Sequence, residues 1–198
     1  MAQRVCVLVH GIHSSKDEAR SWMEPLASEL TALMPDLEVL FYLYGYLLGT
    51  SIALPISGTI RRRRKVKRFQ KWLARKMRAF PGDTEVSVVA HSFGTYLTHR
   101  AMTYEGAPRA IFDRVIYMGG IVSSREDWKA ERGHFSELLN LHSKKDHVVR
   151  LNPFGQCGFL GFQNGVGLKV RNEDLTPYAH GDYTQPGAAW GRIQAFLT

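Results

Sequence analysis

Residues 86–102 read VSVVAHSFGTYLTHRAM, and the order of residue types in this stretch decides the fold. Residues 86–89 are a short, apolar, largely β-branched run, the pattern of a buried strand. Residues 95–102 suit a helix that buries Leu97 and Met102. Between them lies Ala90-His91-Ser92-Phe93-Gly94. A serine on so short a turn from strand to helix is held in strained backbone geometry. Small residues two positions to either side let the chain cross itself there. The hydroxyl then stands at the positive end of a helix dipole. This is the small-x-Ser-x-Gly pattern of a nucleophile elbow, with Ala90 at the first small position. The plain alternative is a Ser-Phe-Gly turn that only joins two elements.

The chain around this stretch has 198 residues, enough for one domain, residues 1–198, with a sizeable core. Of its two cysteines, Cys6 lies in an apolar run and reads as a buried free thiol. No disulfide framework and no metal-ligand spacing is visible, which suits a reducing, cytoplasmic setting. The first ten residues, MAQRVCVLVH, do not read as a secretory leader, because the apolar run is short and leads straight into His10-Gly11. The net charge of +8 is local. Residues 61–78 hold eleven Lys and Arg and no acid, leaving 15 Lys and Arg against 18 Asp and Glu elsewhere.

Before the elbow, residues 4–10 (RVCVLVH) predict a parallel strand covered on both faces. Gly11 then permits close approach of backbone to substrate. The Ile12 N–H is a candidate oxyanion donor, together with the Phe93 N–H that follows the serine. His10 and His13 read as turn residues, with His10 hydrogen-bonded within its loop. Residues 16–34 predict a helix with Trp22, Leu26, Leu30 and Leu33 on its apolar face, ended by Pro35-Asp36. Residues 37–43 predict a second strand. From Val39 to Ile60 the chain carries no charge and a basic cluster follows, which has the look of a membrane span with a positive flank. Gly45, Gly49, Pro55, Gly58 and the strand within it favour a long apolar loop near the active site, a lid or acyl-contacting wall. Residues 59–80 predict an amphipathic helix with Val66, Phe69, Trp72, Leu73, Met77 and Phe80 inward. Its Lys and Arg form either a solvated face or a contact for an anionic membrane or acidic partner. Nucleic acid is disfavoured, since no binding module accompanies the run.

After the elbow, residues 110–118 predict a strand ending in Gly119-Gly120. Residues 121–135 form a polar excursion. Residues 137–142 predict another strand and 143–146 a loop. The Gly-rich residues 152–167 have no regular element and are packed by Phe154, Phe159 and Phe162. Residues 168–171 predict a last strand, 176–182 a loop, and 186–197 a closing helix with Trp190, Ile193 and Phe196 inward. Strands alternating with helices predict an α/β fold, a mostly parallel central sheet with helices on both faces.

A serine hydroxyl needs a base, and the base an orienting acid. In an open parallel sheet all three belong at the carboxyl ends of strands. His180 follows the last strand in a Gly- and Pro-flanked loop and is the chosen base. His91, His99, His134, His142 and His147 are placed less well. Asp146 follows a strand and precedes the base, and is the chosen acid, with Asp127 and Asp174 next and Asp182 sharing the loop of the base.

His10-Gly11, the elbow at 90–94, Asp146 after a late strand and His180 after the last one resemble the α/β-hydrolase superfamily in its Ser…Asp…His order, and among its members small lipase- and esterase-like serine hydrolases without a large cap. The resemblance covers nearly the whole chain. It implies cleavage of carboxylic esters through an acyl-enzyme, with no metal or organic cofactor. It assigns Ser92 as nucleophile, His180 as base, Asp146 as acid, and Ile12 and Phe93 as oxyanion donors, with His10, Gly11 and His91 beside substrate. The chain is short for the superfamily, which implies that one or two peripheral strands are missing. The competing readings are a membrane-docking lipase or acyltransferase, and a non-catalytic binding protein of the same fold.

Overall fold

The apolar runs of the sequence become the strands of one sheet in the computed structural model, which describes residues 3–11, 16–44, 55–103, 110–128, 133–152, 155–164 and 169–198. Strands β1 (Arg4–Val9), β2 (Leu37–Tyr42), β3 (Glu85–His91), β4 (Phe112–Met118), β5 (Phe135–His142) and β6 (Val170–Asp174) pair in the order β2-β1-β3-β4-β5-β6. Every neighbouring pair is parallel. Parallel neighbours need crossovers, and these are right-handed in nearly all proteins. The chain steps from β1 out to β2, then back past β1 to β3. Helices α1 (Lys16–Leu33) and α2 (Pro55–Met77) must therefore cover opposite faces.

The side chains agree with that requirement. Val5, Val7 and Val9 face the layer of α2 and α3 (Phe93–Thr103), while Cys6 and Leu8 face α1 and α6 (Ala188–Leu197). A strand buried on both faces needs apolar residues at both parities. That is why β1 reads as a continuous apolar run. Cys6 and Cys157 are free thiols in opposite layers, and burial pushes each up to about 12.

The helices follow the expected faces with two differences. In α1, Trp22, Leu26 and Leu30 are buried, but Leu33 is 55% exposed and Met34 closes the layer instead. The Met34 N–H still bonds the Leu30 carbonyl and its own carbonyl accepts from Leu37, so the turn at 35–36 carries residue 34 inward. Helix α2 starts four residues earlier than the pattern predicts and ends at Met77. Val66, Phe69 and Leu73 are buried under it, Trp72, Met77 and Phe80 half-buried. Gln70 also points inward and donates to the Ala101 carbonyl, tying α2 to α3 at 3.1 Å.

The carboxyl-terminal half holds more order than its sequence suggests. The loop after β5 contains one helical turn, α4 (His147–Arg150), and the Gly-rich stretch contains another, α5 (Cys157–Leu160). Buried Asn140 donates to the Cys157 carbonyl at 2.9 Å and to Asn172 Oδ1 at 3.0 Å. Asn172 in turn exchanges two bonds with the Phe162 backbone. Phe162 is buried and Phe159 half-buried as expected, while Phe154 lies outside the described residues. Strand β6 extends to Asp174 although Arg-Asn-Glu-Asp is polar. It has one neighbour, β5, so backbone pairing holds it, helped by the Asn172 bonds, while Arg171 and Asp174 are exposed. Residues 45–54 of the uncharged stretch lie outside the described residues, so the lid expected there does too. Among the described residues no helix is long and apolar enough to cross a membrane.

Candidate active site

The site begins with the backbone of the elbow. Among the described residues Ser92 is the one non-glycine with positive φ, at 54°. Left-handed backbone costs an ordinary L-residue roughly 1–2 kcal/mol, so surrounding bonds must hold it. The Ser92 N–H donates to the Met118 carbonyl of β4 at 3.0 Å. Its carbonyl accepts from the Thr95 N–H at 3.0 Å and the Thr95 hydroxyl at 2.6 Å. Gly94 lets the first turn of α3 lie against β1, since a Cβ there would stand 2.6 Å from the Val9 carbonyl oxygen and 2.8 Å from that of His10. Gly11 presses on the serine itself, where a Cβ would come within 3.0 Å of Ser92 Cβ. Ser92 thus sits above β1 and β3, where the strand order reverses and open α/β sheets form their crevice.

Asp146 and His180, 34 residues apart in sequence, meet at 2.8 Å through Oδ2 and Nδ1. The carboxylate is fully buried and caps α4, its Oδ1 accepting the Val149 N–H at 3.0 Å. An ionised carboxylate can only accept, so the imidazole carries its proton on Nδ1 and leaves Nε2 as an acceptor. The His180 side chain is 17% exposed. Its loop is anchored at one end by the Leu175 N–H on the His142 carbonyl and internally by Asp182 Oδ2 accepting the Ala179 N–H at 2.7 Å.

Two further residues shape the pair. Gly119 has a φ of 53°, and a Cβ there would lie 2.9 Å from Asp146 Oδ2 and 3.1 Å from His180 Nδ1. In the sequence it is merely the end of a strand, and the Gly-Gly doublet is the one signal it gives. His91 is buried, and its Nε2 lies 3.0 Å from the His180 carbonyl oxygen, the two rings 4.8 Å apart. Burial, with His180 adding to it, holds the His91 imidazole down to about 3, so it is neutral and donates from Nε2. The sequence places His91 beside substrate. In the structure this nitrogen faces the loop of His180.

His10 behaves as a loop residue. It stacks on Tyr44 at 4.2 Å, its Nε2 lies 3.1 Å from the Tyr44 carbonyl oxygen, and the Tyr44 hydroxyl donates to the His10 carbonyl. The other candidates are placed elsewhere. His99 pairs with Glu126 at 3.5 Å, Asp127 and His147 are exposed, and Asp174 accepts the Thr176 hydroxyl and N–H. Ile12 and His13 lie outside the described residues. Phe93 opens α3, and the first N–H groups of a helix have no acceptor within it. Among the described residues no three His, Cys, Asp or Glu converge as a metal site requires.

No protein-family model matches the sequence, and no curated protein is recognisably similar to it in sequence. Solved structures share its shape. It is similar to the crystal structure of esterase PE8 at 17% identity, over 99% of this chain and 92% of that one, with a TM-score of 0.69. TT1662 from Thermus thermophilus is similar at 16% identity over 99% and 88%, with a TM-score of 0.63. SOBER1 from Arabidopsis thaliana is similar at 13% over 98% and 97%, with a TM-score of 0.62. The chain has the α/β-hydrolase fold. At these identities the α/β-hydrolase likeness is one of framework.

Proposed function

We propose that the protein is a serine hydrolase that cleaves carboxylic esters through an acyl-enzyme. The observation that carries this reading is the buried Asp146 carboxylate on His180 Nδ1, at the same end of the sheet as the strained Ser92. In the proposed cycle His180 Nε2 takes the Ser92 proton as the hydroxyl oxygen attacks the ester carbonyl. The tetrahedral oxyanion is held by the N–H of Phe93 and of Ile12, each worth roughly a hundred- to a thousandfold. The C–O bond to the alcohol breaks, and the alcohol leaves with the proton from His180. Water then attacks the acyl-enzyme, losing its proton to His180, and as the C–O bond to Ser92 breaks His180 returns that proton to the serine oxygen and the acid departs. Asp146 stabilises the imidazolium and fixes its tautomer. These groups perform the cycle without a cofactor. PE8, which shares the fold, is an esterase, and this supports the same reaction class here. Two buried free thiols support a reducing, cytoplasmic setting.

The test is labelling by a fluorophosphonate probe, followed by a p-nitrophenyl ester series of increasing acyl length. Wild type should label and turn over. Ser92→Ala should not label, and His180→Ala should lose at least a thousandfold in rate. Undiminished hydrolysis by folded Ser92→Ala would remove the proposal.

A further inference from the structure

We propose that the outer face of α2 is a docking surface for an anionic lipid bilayer, independent of the reaction assigned above. Arg64, Arg68, Lys71 and Arg75 recur at spacings of four and three, and so stand in one row. All four are exposed. The row is about 16 Å long at helical rise. Arg63 and Lys67 flank it, also exposed, and no acid occurs anywhere in residues 61–78.

The opposite face limits what α2 can do. Val66, Phe69 and Leu73 are sealed against the sheet, and Gln70 is bonded to the Ala101 carbonyl. A free amphipathic helix buries its apolar side in the bilayer. Helix α2 cannot, because that side is already the cover of β1 and β3. Its contact is through cations alone, at headgroup level, and falls off within a Debye length.

Lys65 shows where the row begins. Its ammonium lies 4.8 Å from the centre of the Tyr44 ring, Tyr44 stacks on His10, and a Cβ on the next residue, Gly11, would stand 3.0 Å from Ser92 Cβ. The row therefore starts at the rim of the crevice. In sequence it is preceded by the uncharged residues 39–60. An anionic bilayer matches a row of cations with no acid among them. The exposed side chains of the helix from residue 62 onward are Arg, Lys and Ala74, with no aromatic platform for stacked bases.

The experiment is co-sedimentation of the full chain with vesicles of phosphatidylcholine, with and without phosphatidylglycerol, at low and high salt. The expected result is binding to the mixed vesicles, none to phosphatidylcholine alone, and release by salt. The triple variant Arg64→Gln, Lys71→Gln, Arg75→Gln should bind about a hundredfold more weakly, at about fivefold per charge. Its circular dichroism and its hydrolysis of a soluble ester should match wild type. Absence of binding, equal binding to neutral vesicles, or undiminished binding by a folded variant would overturn the proposal. Displacement from the vesicles by duplex or single-stranded DNA at equal phosphate and physiological salt would also overturn it, in favour of a nucleic-acid surface.

Discussion

The elbow and the loop of His180 are held in place by different means. Ser92 is fixed mainly by its neighbours in sequence: within four residues come its left-handed φ, the Thr95 bonds to its carbonyl and the Gly94 crossing of β1, and from farther off the Met118 carbonyl and the close approach of Gly11 join them. His180 is fixed from a distance. Asp146 holds its ring, His91 touches its carbonyl, and the Leu175 N–H anchors its loop to the end of β5. The placement of Ser92 is thus largely a property of a short sequence, and that of His180 a property of the assembled sheet. Loss of the serine should cost chemistry with only a small change in stability, whereas loss of a distant support such as His91 should also alter pH behaviour and stability.

The largest effect that would sharpen this contrast is that of Asp146→Asn. Its Oδ1 can still accept the Val149 N–H, so α4 keeps its cap, but the amide presents N–H to His180 Nδ1 and moves the ring proton to Nε2. Ester hydrolysis should fall about 10⁴-fold with an unchanged melting temperature. Activity within tenfold of wild type would break the assignment of the distant partner. A smaller effect concerns His91, whose imidazole is held down to about 3 in the fold against an ordinary 6.5. Between those values the unfolded chain binds a proton that the folded chain refuses. Stability should therefore fall as pH is lowered from about 6.5 toward 3, by up to about 1.4 kcal/mol per pH unit. In urea titrations across that range His91→Gln should flatten the slope, leaving the smaller shares of His10 and His142, and its pH–rate profile should shift because the loop of His180 has lost a rigid support. A slope identical to wild type would show that His91 does not couple the two regions. The smallest effect is that of Ser92→Gly on stability. Relief of the left-handed backbone is offset by the added freedom of glycine, for a net gain of about 0.5–1 kcal/mol alongside complete loss of labelling. A lower melting temperature would mean that the serine side chain itself stabilises the turn.

The same contrast explains what is legible in the sequence. The elbow can be read outright, because strand, small residues, serine and helix are contiguous. Asp146 and His180 can be chosen by order and loop position, and the structure brings them together, but their contact depends on the register of β5 against β6. Gly119 and the His91 contact stay hidden for that reason: each matters for a residue far along the chain. The end of β6 is misplaced because hydropathy reports burial, and the edge strand of Arg-Asn-Glu-Asp is held by backbone pairing and by polar side-chain bonds that hydropathy does not register. Helical spacing turns Leu33 inward, and takes no account of the turn that substitutes Met34.

The two cysteines give the architecture a built-in clock. Cys6 lies under the α1 and α6 layer and Cys157 under the other, both fully shielded and both protonated at neutral pH. A thiol reagent can reach either one only after its own layer lifts from the sheet. Alkylation rates at the two positions therefore time the opening of the two sides separately, and show which layer leaves the sheet first.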